Sequence, residues 1–319
     1  MTQLDYSPED KAVPPVNGAT VEGPSDLQPI AAQAQASQFL PRLFRSKAAM
    51  LCLFIIFLVL VAALAAPWIA PNDPSVIKLI QRLKPPLYTN RAGVTYLLGT
   101  DALGRDVFSR LIYGARVSMV VGLSAVLISG AIGLLVGLLS GYFGGLVDEV
   151  FMRICDIQLS FPTILLALTI MAVLGSGLDK LILVLGLTGW VQYGRIVRSQ
   201  VLAVKNDEFV LAARATGERQ WRILFQHILP NIWSPVIVIA SFTVASNIVA
   251  EASLSFLGVG VPPSVPSWGT ILSDGRQYIG VADWLTIPAG IAISLTVLSI
   301  NVLGDWLRDY LDPRLKNIV

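Results

Sequence analysis

The stretch AAMLCLFIIFLVLVAALAAPWIAPN, residues 48–72, decides what kind of protein this is. It contains no charged side chain over a length that exceeds the roughly 20 helical residues needed to cross the hydrocarbon of a bilayer. The rest of the chain agrees, since 54% of its 319 residues are hydrophobic and only 14% are charged. A soluble domain of this size carries more charge. We therefore expect an all-α polytopic membrane protein.

The N-terminal segment, residues 1–40, has a different composition from the rest. It holds scattered acids and several prolines but no apolar periodicity, which predicts a disordered tail. The first apolar run begins well inside the chain and is longer than the core of a signal peptide. We therefore expect the run to remain in the membrane as an anchor.

Apolar windows along the remaining chain predict six transmembrane helices. They lie near residues 48–72, 117–142, 157–178, 181–201, 229–250 and 284–304. The fourth is marginal because it contains Arg195 and Arg198, whose side chains would have to extend to the interface. Lysine and arginine counts do not settle the orientation. They mildly prefer a five-span alternative, without the fourth helix and with the N-terminus outside, over six spans with a cytoplasmic N-terminus.

Composition also excludes several classes of function. The net charge is only +2 and no basic tract is present, so we expect no nucleic-acid partner. His227 is the sole histidine, and Cys52 and Cys155 lack metal-ligand spacing, so neither a metal site nor a catalytic residue is predicted. Both cysteines are interpreted as packing residues. The five more apolar spans contain no Asp, Glu, Lys or Arg, which disfavours coupling to an ion gradient.

The second span carries a stripe of glycines. Gly133, Gly137, Gly141 and Gly145 recur every four residues and would share one face of a helix. Such a stripe lets another backbone approach closely, so it predicts tight helix packing in a membrane bundle. The pattern does not say whether the neighbouring helix belongs to the same chain.

A polar segment, KNDEFVLAARATGERQWRILFQHILPN at residues 205–231, separates two apolar blocks. Asn206 can cap a helix whose first turn carries Asp207 and Glu208, and Gly217 can end that helix. A second short helix should follow and meet the next span at Pro230. We call residues 205–230 the elbow. It is too polar to span a membrane, and its patch of small alanine side chains suits docking into a partner.

The elbow resembles the EAA loop of ABC importer permeases. That pattern reads Glu-Ala-Ala, three residues, Gly, nine residues, Ile, any residue, Leu-Pro. The matching positions are Ala212, Ala213, Gly217, Leu229 and Pro230. Leu211 replaces the glutamate and His227 replaces the isoleucine. Glu208 lies one helical turn before the position of the glutamate and is the candidate to replace it.

Three further blocks resemble the C-type subunit of the dipeptide/oligopeptide/nickel permease family. They are LGTDALGRDVFSRLIYGARVSMVVG at 98–122, EASLSFLGVGVPPSVPSWGTILSDGR at 251–276 and GDWLRDYLDP at 304–313. Four blocks in the right order are more specific than one loose motif. The resemblance implies a type I ABC importer-like transmembrane domain over 41–319, in a prokaryotic inner membrane, with six spans and both termini in the cytoplasm.

The resemblance also implies a mechanism and a set of partners. The elbow would be a cytoplasmic coupling helix that seats in a separate ATPase. The residues assigned to ATPase coupling are Glu208, Ala212, Ala213, Ala215, Gly217, Leu229 and Pro230. The chain has no Gly-x-x-x-x-Gly-Lys phosphate loop, so ATP and Mg would be bound by the partner ATPases and no cofactor by this chain. The implied partners are a second homologous permease in a heterodimer, two ATPase subunits, an extracytoplasmic solute-binding protein and the lipid bilayer.

The solute implied by the resemblance is a dipeptide or oligopeptide. Nickel chelates, opines and glutathione are the alternatives, since similar permeases carry them. A secondary transporter or channel is a more distant alternative, because it would show intramembrane charges or inverted repeats. An intramembrane enzyme would need a catalytic cluster that the sequence lacks, so no enzymatic activity is expected.

Two charged features outside the elbow allow two interpretations each. Asp101, Arg105, Asp106 and Arg110 form a cluster before the second span and can pair along a helix. The cluster is either a scaffold that caps that span or a contact for the solute-binding protein. Glu251 directly follows the fifth predicted span. It has either a structural role or a place in the translocation path.

Overall fold

The computed structural model describes residues 41–311, and the tail predicted over 1–40 lies outside this range. Residues 41–45 are helical. The remaining described chain is a helical bundle with one two-stranded hairpin. Its longer helices are α1 (Lys47–Leu64), α3 (Val107–Phe143), α4 (Gly145–Leu159), α5 (Thr163–Leu174), α6 (Leu178–Val204), α10 (Trp233–Phe256) and α12 (Ile287–Leu311).

Shorter elements connect these helices. They are α2 (Ala66–Ile69), β1 (Tyr88–Thr89), β2 (Thr95–Tyr96), α7 (Glu208–Ala215), α8 (Gln220–Arg222), a π-helix (Ile223–Ile228), α9 (Leu229–Asn231) and α11 (Trp268–Gly275). Single 3₁₀ turns occur at Leu79–Gln81, Arg276–Tyr278 and Asp283–Leu285. The two strands pair antiparallel, with Tyr88 opposite Tyr96.

Within residues 41–311, four helical stretches are long and apolar enough to cross a membrane. They are Lys47–Leu64, Val107–Phe143, Trp233–Phe256 and Asp283–Leu311. Together α4 and α5 also pass this test, but they are bent by 83° and would make a fifth span if counted as one. Helix α6 is 27 residues long, yet it is not among the stretches that pass. A helix therefore forms where the marginal fourth span was predicted. Its polar residues distinguish it from the four apolar stretches.

Two predicted windows differ from the helices that form. The window 157–178 is not one helix, because Pro162 disfavours helical backbone in the preceding residue. The helix is therefore interrupted between α4 and α5. Helix α3 begins ten residues before the predicted start at 117. Its start is fixed by Asp106, whose carboxylate accepts hydrogen bonds from the backbone N–H groups of Phe108 and Ser109.

The glycine stripe of α3 packs against α6 of the same chain. A Cβ atom added to Gly133, Gly137 or Gly141 would lie within about 3.0 Å of backbone or side-chain atoms of α6. These two helices form the most extensive helix pair in the bundle. Gly145 does not belong to the stripe, because α3 ends at Phe143 and nothing lies within 4 Å of the added atom.

The two cysteines are buried and unbonded, as expected of packing residues. Cys155 lies in a cluster with Val136, Trp190 and Val191, where α3, α4 and α6 meet. No group of three or more metal-binding side chains occurs in the described part of the chain.

The close contact between α3 and α6 predicts the outcome of a matched pair of substitutions. Gly137→Ala places its Cβ 2.7 Å from the carbonyl oxygen of Gly194, so the two helices must separate. We expect the free energy of unfolding to fall by about 1–3 kcal/mol. Gly130→Ala on the same helix meets only Tyr193 ring atoms at 3.6 Å and should be neutral or slightly stabilising. Thermal unfolding of the purified proteins in detergent measures both. Equal melting temperatures would contradict the proposed close contact.

Candidate functional site

The elbow leaves the bundle at the end of α6 and returns to it at the start of α10. Its first helix, α7, begins at Glu208, and the preceding residue in extended conformation is Asp207. The prediction that Asn206 caps this helix is therefore wrong by one residue, and no side chain caps it. Glu208 lies in the first turn, where a negative charge favours the positive end of the helix dipole.

The end of α7 is a Schellman turn. The N–H of Gly217 donates to the carbonyl of Arg214 at 3.0 Å, and the N–H of Glu218 donates to the carbonyl of Ala213 at 3.1 Å. Gly217 has a φ of +79°, a left-handed conformation that side chains resist. The structure thus confirms that the helix ends at this glycine.

Helix α7 has one buried and one exposed face. Val210 and Ala213 pack into a core cluster with residues of α6 and the π-helix. Ala212 and Ala215, together with Phe209 and Leu211, are exposed. The two central alanines of the sequence pattern therefore differ in environment, since Ala213 secures the helix to the bundle and Ala212 points outward.

The second half of the elbow runs through α8, the π-helix and α9 to the start of α10. Ile223, Leu224 and Ile228 are fully buried and form most of its contact with the bundle. Pro230 lies in the first turn of α9, which continues directly from the π-helix. Leu229 is partly buried against the same core cluster.

Glu218 joins the two halves of the elbow through a hydrogen bond with His227. His227 Nε2 lies 2.9 Å from Glu218 Oε2, and Arg222 Nε lies 3.9 Å from the same oxygen. Glu208, the predicted replacement for the family's glutamate, is exposed and takes part in no ion pair within residues 41–311. The sequence analysis missed Glu218. The signal was the histidine at the isoleucine position, which brings a polar side chain to a site that is normally apolar.

The elbow rests on the C-terminal end of α3. The Arg214 guanidinium lies 5.3 Å from the ring centroid of Tyr142, and the rings of Phe143 and Trp221 lie 5.7 Å apart. Lys205 Nζ donates to the carbonyl of Gly141 at 3.0 Å. The elbow is therefore in direct contact with the helix that carries the glycine stripe.

The charged cluster lies at the opposite end of α3, about 55 Å away for a helix of 37 residues. Arg105 Nε and Arg110 Nη1 each lie 2.6 Å from Asp101 Oδ2. The same two arginines reach Asp274 Oδ2 at 2.8 and 3.0 Å. Asp274, at the end of α11, was missed from sequence because its partners are 164 and 169 residues away.

Asp106 is not part of this ion-pair cluster. It caps α3, accepts a hydrogen bond from Ser109 Oγ at 2.6 Å and accepts another from Asn72 Nδ2 at 3.2 Å. The cap thereby ties the connection after α2 to the start of α3. Of the four residues grouped by sequence, three form the buried cluster and the fourth fixes the helix that carries it.

Glu251 lies inside α10, five residues before its last residue, rather than after the span. It is fully buried, and its two carboxylate oxygens accept hydrogen bonds of 2.9 Å from Ser118 on α3 and Ser255 on α10. The expectation that the more apolar spans contain no ionisable group is therefore wrong for this helix, because the helix continues past the apolar window. Glu251 links α10 to α3.

Two family models match the chain. Residues 133–317 match the binding-protein-dependent transport system inner membrane component, and residues 35–86 match the N-terminal TM domain of oligopeptide transport permease C. The first match covers all of the elbow and the glycine stripe of α3.

Several curated relatives are similar over most of their length. The di/tripeptide transport system permease protein of Pseudomonas aeruginosa is 40% identical over 302 residues, which cover 95% of this chain and 98% of the relative. The oligopeptide transport system permease protein of Bacillus subtilis is 43% identical over 275 residues, or 86% and 88%. The glutathione transport system permease protein of Pectobacterium atrosepticum is 38% identical over 280 residues, or 88% and 91%.

A solved structure supports the fold. A chain of the MetNI methionine ABC transporter, in a study of its inward-facing conformations, superposes with a TM-score of 0.52 at 20% sequence identity. The match covers 64% of this chain and 97% of that chain. At this identity the likeness extends to the arrangement of helices alone.

Proposed function

The chain belongs to the family of binding-protein-dependent transport system inner membrane components, and from that premise we propose that it is the C-type permease subunit of an ATP-driven peptide importer. The observation that carries the solute class is the similarity over nearly its whole length to a relative named for di- and tripeptide transport. A relative named for glutathione transport makes that tripeptide the second candidate solute.

Membership of this family implies ATPase and solute-binding partners, and we propose a specific arrangement of them. Two ATPase subunits would bind ATP and Mg, and a second homologous permease would complete the path. The loops within 71–116 and 251–283, which hold the charged cluster, would face the solute-binding protein. The elbow would face the ATPases, because it lies at the other end of α3.

We propose six spans for this multi-pass inner membrane protein, with α4 and α5 as the third and α6 as the fourth. The polar residues of α6 support this assignment, because Arg198 pairs with Asp148 and Arg195 pairs with Asp156 on α4. Paired arginines are less costly inside a bundle than free ones. Both chain termini and the elbow would then lie in the cytoplasm.

Cysteine labelling tests this topology. Asn206 in the elbow and Ala92 in the hairpin turn are both exposed, and the native cysteines are buried. In sealed, right-side-out membrane vesicles, a membrane-impermeant maleimide should label Ala92→Cys at once and Asn206→Cys only after permeabilisation. Labelling of both positions only after permeabilisation would refute six spans and support the five-span alternative, which places both in the cytoplasm.

The coupling role of the elbow rests on its exposed apolar face and its fixed end. Phe209, Leu211, Ala212 and Ala215 form an apolar surface outside the bundle, which a groove of the ATPase would cover. The Schellman turn and the Glu218–His227 pair hold this surface at a set angle to the path that leads into α10. ATP-driven closure of the ATPases would move the surface, and the rigid elbow would move α3 and α10 with it.

Substitution of Gly217 tests the coupling. No atom lies within 4 Å of a Cβ added at Gly217, so Gly217→Val acts through its left-handed backbone and not through a clash. We expect uptake per ATP hydrolysed to fall at least about fivefold, since about 1–2 kcal/mol of backbone strain disfavours the native turn. Gly175→Val is the matched control, with φ +78°, only Lys180 Nζ within 4 Å of the added atom, and a position outside both the elbow and the loops assigned to the solute-binding protein. Equal uptake by both variants would remove the elbow from the mechanism.

Reconstitution tests the proposed function itself. Proteoliposomes should take up dialanine or trialanine only when this chain, a second permease, two ATPases and a solute-binding protein are all present with ATP. Each component is omitted in turn, and glutathione and a nickel chelate replace the peptide in parallel assays. Saturable uptake by this chain alone, without ATP, would defeat the importer assignment. Uptake of only the nickel chelate would defeat the peptide assignment.

A further inference from the structure

The break between α4 and α5 is the feature on which this inference rests. Helix α4 ends at Leu159, α5 begins at Thr163, and the two axes differ by 83°. Pro162 has no N–H and restricts the residue before it, so the helix cannot continue through this point. We call residues 160–163 the break.

Contacts with α6 fix the depth of the break in the bundle. Gln158, one turn before Pro162, uses both polar atoms of its side chain on α6. Its Nε2 donates to the carbonyl of Thr188 at 2.7 Å, and its Oε1 accepts from Trp190 Nε1 at 3.0 Å. Residues 188–190 lie at the middle of α6, a helix of about 40 Å. The break is therefore roughly 15–20 Å from either end of that helix. With α6 as the proposed fourth span, this depth corresponds to the centre of the membrane.

The break is exposed on the surface of the single chain. Ser160, Phe161, Pro162 and Thr163 all have exposed side chains. No side chain caps α5, so its first backbone N–H groups have neither an intrahelical partner nor a capping partner. Polar backbone groups are thus presented outward at mid-membrane depth.

Such an arrangement is incompatible with lipid contact. Irregular backbone at this depth is tolerated only where protein covers it or where it lines a water-filled cavity, because hydrocarbon offers no hydrogen bonds. The side chains around the break, Ile157, Phe161 and Leu165, are apolar and exposed. If they faced lipid, the unpaired N–H groups beside them would lie in hydrocarbon as well. A dry apolar partner surface would leave the same N–H groups unpaired.

We propose that the break faces the water-filled passage and is the part of this chain that lines the solute path at mid-membrane. The proposal rests on the proposed function, since it assigns residues to the path of the same transporter. The break carries two hydroxyl groups and no charged side chain. Such a lining suits uncharged hydrogen bonding to peptide amide groups, which all peptides share, rather than recognition of one side chain.

A matched pair of cysteine substitutions tests the proposal. Phe161 is 56% exposed at the break, and Phe57 is 58% exposed in the middle of the unbroken helix α1. Each is changed to Cys in a Cys52→Ala, Cys155→Ala background, and membranes carrying the complete transporter react with a cationic methanethiosulfonate. Only a thiolate reacts, and a thiol ionises in water but not in lipid. We expect Phe161→Cys to react at least about tenfold faster than Phe57→Cys.

The solute passage of a transporter changes its exposure to water during the transport cycle, whereas a fixed crevice does not. The reaction rate of Phe161→Cys should therefore differ at least about fivefold between nucleotide-free and vanadate-trapped membranes. Ser160→Cys repeats the measurement if Phe161→Cys impairs assembly. Rates as slow as those of Phe57→Cys in both states would overturn the proposal, and so would fast rates that are equal in both states.

The two proposals fail in different ways. Vanadate-sensitive ATP hydrolysis is measured in the same membranes, and its absence would count against the importer assignment itself. The rate ratio between Phe161→Cys and Phe57→Cys needs no nucleotide and no identified solute. It therefore decides whether the break meets water even if the assigned function is wrong.

Discussion

The close approach of α3 and α6 is the constraint on which the other parts of this structure depend. Three glycines on α3 remove the side chains that would hold the two backbones apart. Helix α6 can then bind α4 through two ion pairs, Asp148 with Arg198 and Asp156 with Arg195. Because α6 is braced on both sides, it tolerates arginines that exclude it from the apolar stretches recognised by hydropathy. The polar residues of α6 thus hold α4 to the bundle.

The same pair of helices places the elbow. Helix α6 leads into it, and the end of α3 supports it through Tyr142, Phe143 and the carbonyl of Gly141. The Schellman turn and the Glu218–His227 pair then leave the elbow few ways to bend. A rigid connector of this kind transmits displacement, whereas a flexible loop would absorb it.

Much of the fold was predictable, because long apolar runs and a glycine end to a helix have local causes. The four helices that are apolar enough to cross a membrane and the end of α7 at Gly217 both followed from such patterns. Features that depend on distant residues were not predictable in the same way. The bend of 83° between α4 and α5 does have a local cause in Pro162, but spans predicted from hydropathy alone overlook it because hydropathy along 157–178 is uniform. The place of Glu251 inside α10 was missed because one of its two hydrogen-bond partners, Ser118, lies 133 residues away on α3.

The candidate sites also combine features with local causes and features that depend on tertiary contacts. The exposed and buried faces of α7 follow from its short apolar pattern, but the choice of Glu218 over Glu208 as the hydrogen-bond partner depends on how the chain folds back at His227. Whether the pairing residues of α4 and α6 meet is likewise decided by a tertiary contact. The sequence shows the charges and leaves their partners open.

The cluster of Asp101, Arg105, Arg110 and Asp274 has a consequence for biosynthesis. Asp274 is made 164 residues after Arg110, when the four longer helices between them are already synthesised. Until it arrives, two arginines share a single aspartate in a site that the finished protein buries. The nascent chain therefore carries an unbalanced positive charge that keeps this end open to water. The finished cluster therefore needs Asp274, and a chain truncated before α11 lacks the second carboxylate that the two arginines share.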